Sequence, residues 1–282
     1  MTIKVEDQTL LRTMGSVRLK AKQAIEAITS LPPLRAAERW AYERTFAGNA
    51  PGAFRGVFPS FGEAVASAPQ TRPLGYDNPQ AAALWAERPI FAEDYAVLFW
   101  LKSLAQPGFR MFDYGGHTGA VYDAFARVLQ LPDGFDWNIY DVPAVVEEGR
   151  KISLVRHRPH VRFTTEFGDA AGVDVLLASG SLQYVDIPFH ERLVALERRP
   201  MHIIVNQLPL HDELEFVTLQ SIGTAFCPYR VFHRRRFVDS LESIGYETVD
   251  SWSNRCKKCR IPTYPQHAVE HYSGAYFRLR RG

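Results

Sequence analysis

The sequence predicts a doubly wound α/β fold, preceded by a helical N-terminal region. Three observations predict it. From Arg110 onward, short β-rich runs alternate with helical stretches. A glycine-rich turn follows the first of these runs. Residues 1–104 show helix-like spacing and no alternating strand pattern. We therefore predict a helical lid or platform over residues 1–104 and a Rossmann-like, mostly parallel sheet domain over residues 105–282.

The N-terminal region contains four predicted helices. Helix-like spacing covers residues 17–29 and 34–46, and the Pro32-Pro33 pair between them stops one helix and opens the next. Residues 47–73 are rich in Gly, Pro and Ala, which indicates an irregular crossing or a hinge. Asn78-Pro79 has the order of an N-cap followed by a first-turn proline, so we expect a helix through residue 85. A further helix is predicted over residues 92–104.

The second region alternates strands with helices. Its strands are predicted at residues 110–114, 137–140, 161–165, 173–178 and 202–207. Its helices are predicted at residues 119–129, 143–156, 188–197 and 235–244. Two late strands, at residues 247–251 and 275–279, flank a long insertion that contains Cys, Pro and His. This order predicts one sheet with crossover helices.

Composition and charge exclude several classes of partner. With 33 Lys+Arg against 31 Asp+Glu, the net charge of +2 gives no reason to expect a nucleic acid partner. No run of about 18 apolar residues predicts a membrane span. Lys4, Glu6 and Asp7 interrupt the place where a secretory signal would be apolar. The 3 cysteines fit a reducing compartment. We expect a cytoplasmic protein.

The stretch MFDYGGHTGAVYDAF holds three glycines within residues 115–119, directly after the first strand. In a doubly wound sheet, ligands bind at the carboxyl ends of the strands. A glycine-rich turn lets a ligand approach the backbone, although the same turn can simply join a strand to a helix. Asp141 closes the next strand, where an acid can bind both ribose hydroxyls or cap the helix that Pro143 opens. Together these features favour a nucleoside-bearing cofactor.

Asp113 indicates which cofactor. A dinucleotide fingerprint reads G-x-G-x-x-G because its pyrophosphate lies on a helix N-terminus. Here an acid stands two positions before Gly115. That charge would repel a pyrophosphate, but it suits the cationic S-adenosyl-L-methionine, which carries an amino group and a sulfonium. The acid therefore favours a methyl donor.

The motifs resemble those of class I S-adenosylmethionine-dependent methyltransferases. DYGGHTG resembles the first motif of that superfamily, and IYDVP resembles the second. In combined order, DYGGHTG, YDVPAVVEEGR, LLASGSLQYVD, NQLP and CPYRVF resemble a bacterial methyltransferase family associated with surface-polysaccharide or secondary-metabolite genes. The resemblance covers about residues 75–282. It implies a sheet whose last strand is antiparallel.

The resemblance also implies a set of donor-site residues. Gly115, Gly116 and Gly119 would wrap the methionine part, while Asp113 faces its amino group. Asp141 would bind the ribose and Val142 would pack on the adenine. The residues implied to recognise the adenine or to line the space between donor and acceptor are Glu166, Phe167, Ser179, Gly180, Gln183 and Tyr184.

Methyl transfer needs alignment and desolvation, and an alcohol or phenol acceptor also needs a base. Tyr114 and Tyr184 are candidates to contact the sulfonium, although ordinary packing explains Tyr114 better. Many small-molecule O-methyltransferases place a His after the fourth strand, where this chain has Gln183-Tyr184. We therefore favour His211 as base or substrate ligand, against an exposed loop His. Weaker candidates for the acceptor pocket are Gln207, Tyr229 and Arg230, since CPYR also fits a rigid turn.

Cys256 and Cys259 have the spacing of metal ligands, and His267 and His271 follow. The spacing between the two pairs is shorter than in usual zinc fingers, so we predict no metal there. We expect the insertion to close over substrate instead.

The sequence thus predicts a methyltransferase acting on an oxygen, or a less favoured nitrogen, of a small molecule. The N-terminal region would cover the acceptor site or build a homodimer. Two rival functions stay open. One is an NAD-dependent oxidoreductase, which also uses a glycine turn and an acid after the second strand. The other is a non-catalytic nucleotide-binding partner of a biosynthetic enzyme.

Overall fold

The computed structural model describes residues 32–84 and 87–280. Contacts divide the chain into two compact units, Met1–Gly48 and Asn49–Gly282. The described part of the first unit is helix α1, Pro32–Ala47, which confirms the helix predicted over residues 34–46. The helix predicted over residues 17–29 lies outside the described residues. The larger unit begins at residue 49, so the boundary differs from the predicted one at 104/105.

The second unit is built on a seven-stranded sheet with the order β10-β11-β6-β5-β2-β3-β4. Strands β2 to β6 run parallel, and β11 is antiparallel to both of its neighbours. The fold class and the antiparallel last strand are therefore confirmed. The strands span Arg110–Tyr114 (β2), Asp136–Tyr140 (β3), Val161–Thr164 (β4), Val175–Ser179 (β5), His202–Leu208 (β6), Tyr246–Asn254 (β10) and Tyr272–Leu279 (β11).

Helices cover both faces of this sheet. The helices of the second unit span Phe61–Ala66 (α2), Pro79–Ala82 (α3), Asp94–Leu104 (α4), Ala120–Ala126 (α5), Pro143–Val155 (α6), Phe189–Val194 (α7) and Arg234–Glu242 (α8). Of these, α2 packs on the second sheet described below and not on the large one. Asn78 caps α3 as predicted, accepting from the N–H of Ala81 at 2.9 Å, whereas the predicted end at residue 85 lies outside the described residues. None of the described helices combines the length and apolar character needed to cross a bilayer.

The two faces of the sheet bury separate cores. Side chains alternate between faces along each strand, so Met111 packs on one side and Phe112 on the other. Trp137 is fully buried in the first core, together with apolar residues of α4 and α5. The second core lies under α7 and α8. Because both faces are covered, the central strand β5 is apolar over four consecutive residues.

A second sheet, not expected from the sequence, has the order β1-β8-β9-β7. Its strands are Phe54–Phe58 (β1), Phe216–Ser221 (β8), Phe226–His233 (β9) and Leu210–His211 (β7). The prediction of a helical or irregular region over residues 1–104 is wrong at β1. CPYR is not a rigid turn, because it forms part of β9. The insertion packs on this sheet through Cys259, Ile261 and Val269.

Candidate functional site

The candidate site lies where the winding of the large sheet reverses. The chain passes from β2 to β3 and β4 on one side, and β5 and β6 lie on the other. The loops after β2 and β5 meet here, since Ser181 Oγ donates to the carbonyl oxygen of Tyr114 at 2.5 Å. A Cβ on Gly115 would lie 2.3 Å from Ser181 Cβ, and its φ of +74° also favours glycine. The predicted glycine turn therefore lies at the topological switch point, where ligands bind in this fold.

Asp113 lies directly beneath the glycine loop. Its side chain is 1% exposed, and its Oδ2 accepts from Trp137 Nε1 at 3.0 Å. A Cβ on Gly116 would lie 2.5 Å from Asp113 Cγ, so the carboxyl group supports the loop from below. Burial raises the pKa of Asp113 to about 7, against a smaller lowering by the Trp137 hydrogen bond. A cation placed against this loop would favour the ionised form of the acid.

Asp141 ties the end of β3 to the same loop. Its Oδ2 accepts from the N–H of His117 at 2.9 Å, and its Oδ1 accepts from the N–H of Val142 at 2.8 Å. Burial raises the pKa of Asp141 to about 6, while these two hydrogen bonds lower it. Val142, and not Asp141, is the N-cap residue of α6. Each carboxylate oxygen keeps a second lone pair, so both can still accept from ribose hydroxyls.

His117 is a site residue that the sequence reasoning missed. It occupies the middle of the glycine motif with φ +53°, in the left-handed region that favours glycine. Its Nε2 lies 3.2 Å from the carbonyl oxygen of Ala81, which can only accept, so Nε2 carries the proton. Burial lowers the pKa of His117 to about 4 and keeps the ring neutral. A histidine between Gly116 and Gly119 was the signal that could have identified it.

Polar side chains meet at the carboxyl ends of β5 and β6. Gln183 is 2% exposed, and its Oε1 has no hydrogen-bond partner in the described part of the chain. A Cβ on Gly180 would lie 3.4 Å from Gln207 Oε1 and 3.8 Å from Gln183 Nε2, so the two amides flank this glycine. Lys257 Nζ donates to Gln207 Oε1 at 2.5 Å. Ser179 lies beside them, with its Oγ 3.4 Å from Asn206 Nδ2.

Tyr184 joins this region to the small sheet. Its hydroxyl donates to Gln220 Oε1 at 2.7 Å, and its ring lies edge-on to Tyr76 and Tyr229, with centroids 5.1 and 5.2 Å away. Tyr229 is 1% exposed and donates to the Tyr272 hydroxyl at 2.7 Å. It therefore packs in the interior, against Tyr184.

Arg230, the neighbouring candidate on β9, is held by acids. Its Nη2 lies 3.0 Å from Asp186 Oδ1, and its Nη1 lies 3.7 Å from Glu215 Oε1. Its guanidinium also lies 5.2 Å from the centre of the Phe61 ring. These contacts account for the position of the arginine without a ligand.

The side chain of Tyr114 lies in the core, and that of Phe167 is half-buried against it. The Tyr114 ring is 2% exposed and stacks on Tyr140, with centroids 5.0 Å apart. Phe167 lies edge-on to Tyr114 at 5.6 Å, and the Arg192 guanidinium lies 4.1 Å from its ring centre. We therefore correct the proposed sulfonium contact of Tyr114 and the adenine contact of the Phe167 ring. Glu166 is exposed after β4 and stays a candidate.

His211 is not a free base. Its Nδ1 accepts from the N–H groups of Glu213 at 3.1 Å and Leu214 at 3.0 Å. Its Nε2 lies 3.1 Å from the carbonyl oxygen of Gln266, so Nε2 carries the proton and donates. Both nitrogens serve the local loop structure, and the proposed catalytic role of His211 is withdrawn.

The two cysteines of the insertion are placed differently. Cys259 is fully buried and forms an isolated antiparallel bridge with Val269, whereas Cys256 is exposed. Within residues 32–84 and 87–280, no group of three or more His, Cys, Asp or Glu side chains could hold a metal ion. The insertion contributes a lysine to the site instead of a metal cluster.

No protein family model matches the sequence, and no curated protein matches it. Among solved structures, the chain is similar to the [4+2]-cyclase SpnF, with 13% identity over 66% of this chain and 82% of that chain, and a TM-score of 0.46. It is similar to a SAM-dependent methyltransferase from Thiobacillus denitrificans in complex with S-adenosyl-L-homocysteine (14% identity, 71% and 96% covered, TM-score 0.41). A third similar structure is magnesium protoporphyrin IX methyltransferase (ChlM) from Synechocystis PCC 6803 with bound SAH. Its identity is 12%, the match covers 70% of this chain and 90% of that chain, and the TM-score is 0.44. Similarities this remote assign neither a family nor an activity to the chain.

Proposed function

We propose that the chain is an S-adenosylmethionine-dependent methyltransferase that methylates an oxygen, or a less favoured nitrogen, of a small molecule. The observation that carries the proposal is the buried carboxyl group of Asp113 beneath the glycine loop, paired with Asp141 at the end of the neighbouring strand. Two acids at the switch point suit a cationic, ribose-bearing ligand. They disfavour a pyrophosphate.

The sheet order supports the same choice over an NAD-dependent oxidoreductase. In a dinucleotide-binding sheet, the sixth strand lies beside the fifth and all six run parallel. Here β6 and β10 are the fifth and sixth strands of the large sheet in chain order, and the antiparallel β11 lies between them. Asp113 and the strand order are independent features, and both count against the NAD alternative.

The residues present fit the donor. The backbone cradle at Gly115 excludes any side chain, and Asp141 retains free lone pairs for ribose hydroxyls. S-adenosylmethionine would supply an electrophilic methyl group on its sulfonium. The methionine part would lie on Gly115, Gly116 and Gly119. The charge of Asp113, beneath this loop, would attract the amino group of the methionine part.

The buried amide of Gln183 favours a methyl acceptor that can donate a hydrogen bond. Its buried Oε1 can only accept, and an unpaired buried acceptor costs about 1–3 kcal/mol. An acceptor hydroxyl or amine beside Gly180 would satisfy it. Because the amide oxygen is not a base, positioning is its role, and the proton must go elsewhere.

A non-catalytic nucleotide-binding protein is the second candidate, because both nitrogens of the predicted base His211 are engaged. Such a protein would bind the same ligand at the donor site but would not transfer a methyl group. Transfer of label from methyl-labelled S-adenosylmethionine into small molecules by the purified chain separates the two. No transfer despite donor binding would favour the second.

Calorimetric titration with S-adenosylhomocysteine and with NAD tests the proposal. We expect S-adenosylhomocysteine to bind, and Asp141→Ala to weaken it by about 1.5–3 kcal/mol, as expected for lost hydrogen bonds to a charged group. Asp136→Ala is the control, since Asp136 lies at the opposite end of the same strand and pairs with Arg162. Binding of NAD alone would overturn the proposal.

A further inference from the structure

Lys257 is held at the carboxyl ends of β5 and β6 from both sides. Its backbone N–H donates to Asn254 Oδ1 at 3.3 Å, and that oxygen also accepts from Cys256 N–H at 2.9 Å. Asn254 is 2% exposed, so this turn after β10 is anchored in the interior. At the other end of the side chain, Nζ donates to Gln207 Oε1. The turn and the amide together aim the amine at the candidate site.

Gln207 is itself placed for this contact. It is the second-last residue of the buried strand β6 and has φ +53°, a backbone conformation that costs a residue other than glycine about 1 kcal/mol or more. Its Oε1 lies 3.4 Å from the position of a Cβ on Gly180, and Gln183 Nε2 lies 3.8 Å from the same position. The amine of Lys257 and the side-chain amides of Gln207 and Gln183 therefore lie close together near Gly180. This glycine precedes Ser181, which contacts the glycine loop.

The surroundings of the amine lower its pKa, although much of the Lys257 side chain is exposed. Among the described residues, Lys257 forms no ion pair, and burial of its amine is the largest cause of a lowered pKa. The charged groups that face it come from the start of α4 and the residues before it. Glu93 and Asp94 raise the pKa of Lys257, and Arg88 lowers it, so the charges partly cancel while the desolvation remains.

We propose that the amine of Lys257 takes the proton of the acceptor atom during methyl transfer, with Gln183 positioning the acceptor and Gln207 positioning the amine. This inference rests on the proposed methyltransferase function. The acceptor oxygen forms a bond to the methyl carbon, the bond from that carbon to sulfur breaks with its electron pair on sulfur, and the acceptor proton moves to Nζ. Neutral amine and sulfonium become ammonium and thioether, so charge balances.

Comparison of two donor-site ligands tests the position and charge state of this amine. Sinefungin carries an amine where the transferable methyl group would lie, whereas S-adenosylhomocysteine carries nothing there. The ratio of their dissociation constants, measured by calorimetry at pH 6.5 and pH 9, therefore reports charge beside that position. Variants Lys257→Met and Lys257→Arg remove the charge or keep it at both pH values. Lys258→Met is the matched control, because Lys258 is exposed and faces Glu270.

Relative to Lys257→Met, we expect the native protein to prefer sinefungin about tenfold less at pH 6.5. This difference should become smaller at pH 9, because the repulsion between two cations weakens as Lys257, whose pKa is lowered, loses its proton. Lys257→Arg should stay about tenfold lower at both values, and Lys258→Met should match the native protein. A native protein equal to Lys257→Met throughout, or equal to Lys257→Arg throughout, would overturn the proposal. Failure of both ligands to bind any variant would overturn the methyltransferase function itself.

Discussion

Asp113→Asn should separate stability from ligand binding at the glycine loop. The folded protein holds the pKa of Asp113 at about 7 against an ordinary 3.8, because burial disfavours the charged form. An acid with a raised folded pKa binds its proton more tightly in the folded state. The free energy of unfolding therefore falls as pH rises from 3.8 through 7, and it stays lowered above that.

The size of the effect follows from the pKa difference. Each pKa unit is worth about 1.4 kcal/mol. Between pH 5 and pH 8 the native protein passes through about two units of this range, so the Asp113 contribution to stability falls by about 3 kcal/mol. Asparagine keeps an oxygen that can accept from Trp137 and does not titrate. The variant should lose about 3 kcal/mol less than the native protein over the same interval.

Urea unfolding of both proteins at pH 5 and pH 8 measures how much more stability the native protein loses than the variant. The contributions of other titrating groups cancel because both proteins carry them. Asp141→Asn is the comparison variant. Because the pKa of Asp141 is raised only to about 6, this variant should lose only about 1.4 kcal/mol less than the native protein between pH 5 and pH 8, and it should be less stable at both. Both oxygens of Asp141 accept backbone N–H groups, so an amide NH₂ would face a donor and cost about 1–3 kcal/mol. If Asp113→Asn loses as much stability as the native protein between the two pH values, Asp113 is ionised throughout and the reasoning is refuted.

Three further predictions concern single side chains. His211→Ala should lower the free energy of unfolding by about 1–2 kcal/mol and leave the affinity for S-adenosylhomocysteine unchanged, checked by urea unfolding and calorimetry; a loss of affinity would return His211 to the site. Gln183→Leu, which removes an unpaired buried acceptor, should keep or raise stability while methyl transfer slows at least tenfold; unaltered transfer would remove Gln183 from the acceptor pocket. Gly115→Ala should abolish donor binding, because its Cβ would meet Ser181 at 2.3 Å; retained affinity would contradict the cradle.

The large sheet was predictable because its signals are local. A β-rich run, a glycine turn and a helix are written within consecutive residues, and Asp113 and Asp141 follow from their places at strand ends. The prediction for Tyr114 ignored the two-residue period of a strand. Asp113 and Tyr114 are neighbours in β2, so their side chains face opposite sides of the sheet, and only one of them can lie under the loop.

The small sheet was not predictable in the same way. Pro228 stands inside β9, where a proline normally argues against a strand. It is tolerated because, among the described residues, the edge of β9 that faces away from β8 is paired at Phe226, by Leu74, and at Phe232 and His233, by β7, but not at Pro228. The position of β1 depends on pairing with β8, about 160 residues later in the chain, and no local pattern contains that information.

The two candidate bases are held by contacts across long stretches of sequence. His211 Nε2 contacts a carbonyl group 55 residues later, and the amine of Lys257, the base proposed above, contacts an amide 50 residues earlier. Motif spacing predicts the proposed donor site, because its residues share strand ends and turns. The proposed acceptor side combines residues of an insertion and of a second sheet, so only the fold brings them together.

A crystal structure of the protein with S-adenosylhomocysteine tests the central claim most directly. The account predicts the homocysteine part over Gly115 to Gly119, the ribose hydroxyls on Asp141, and the sulfur facing Gln183. Density for the ligand away from the switch point, or a ribose that leaves Asp141 bound only to the backbone N–H groups of His117 and Val142, would contradict it.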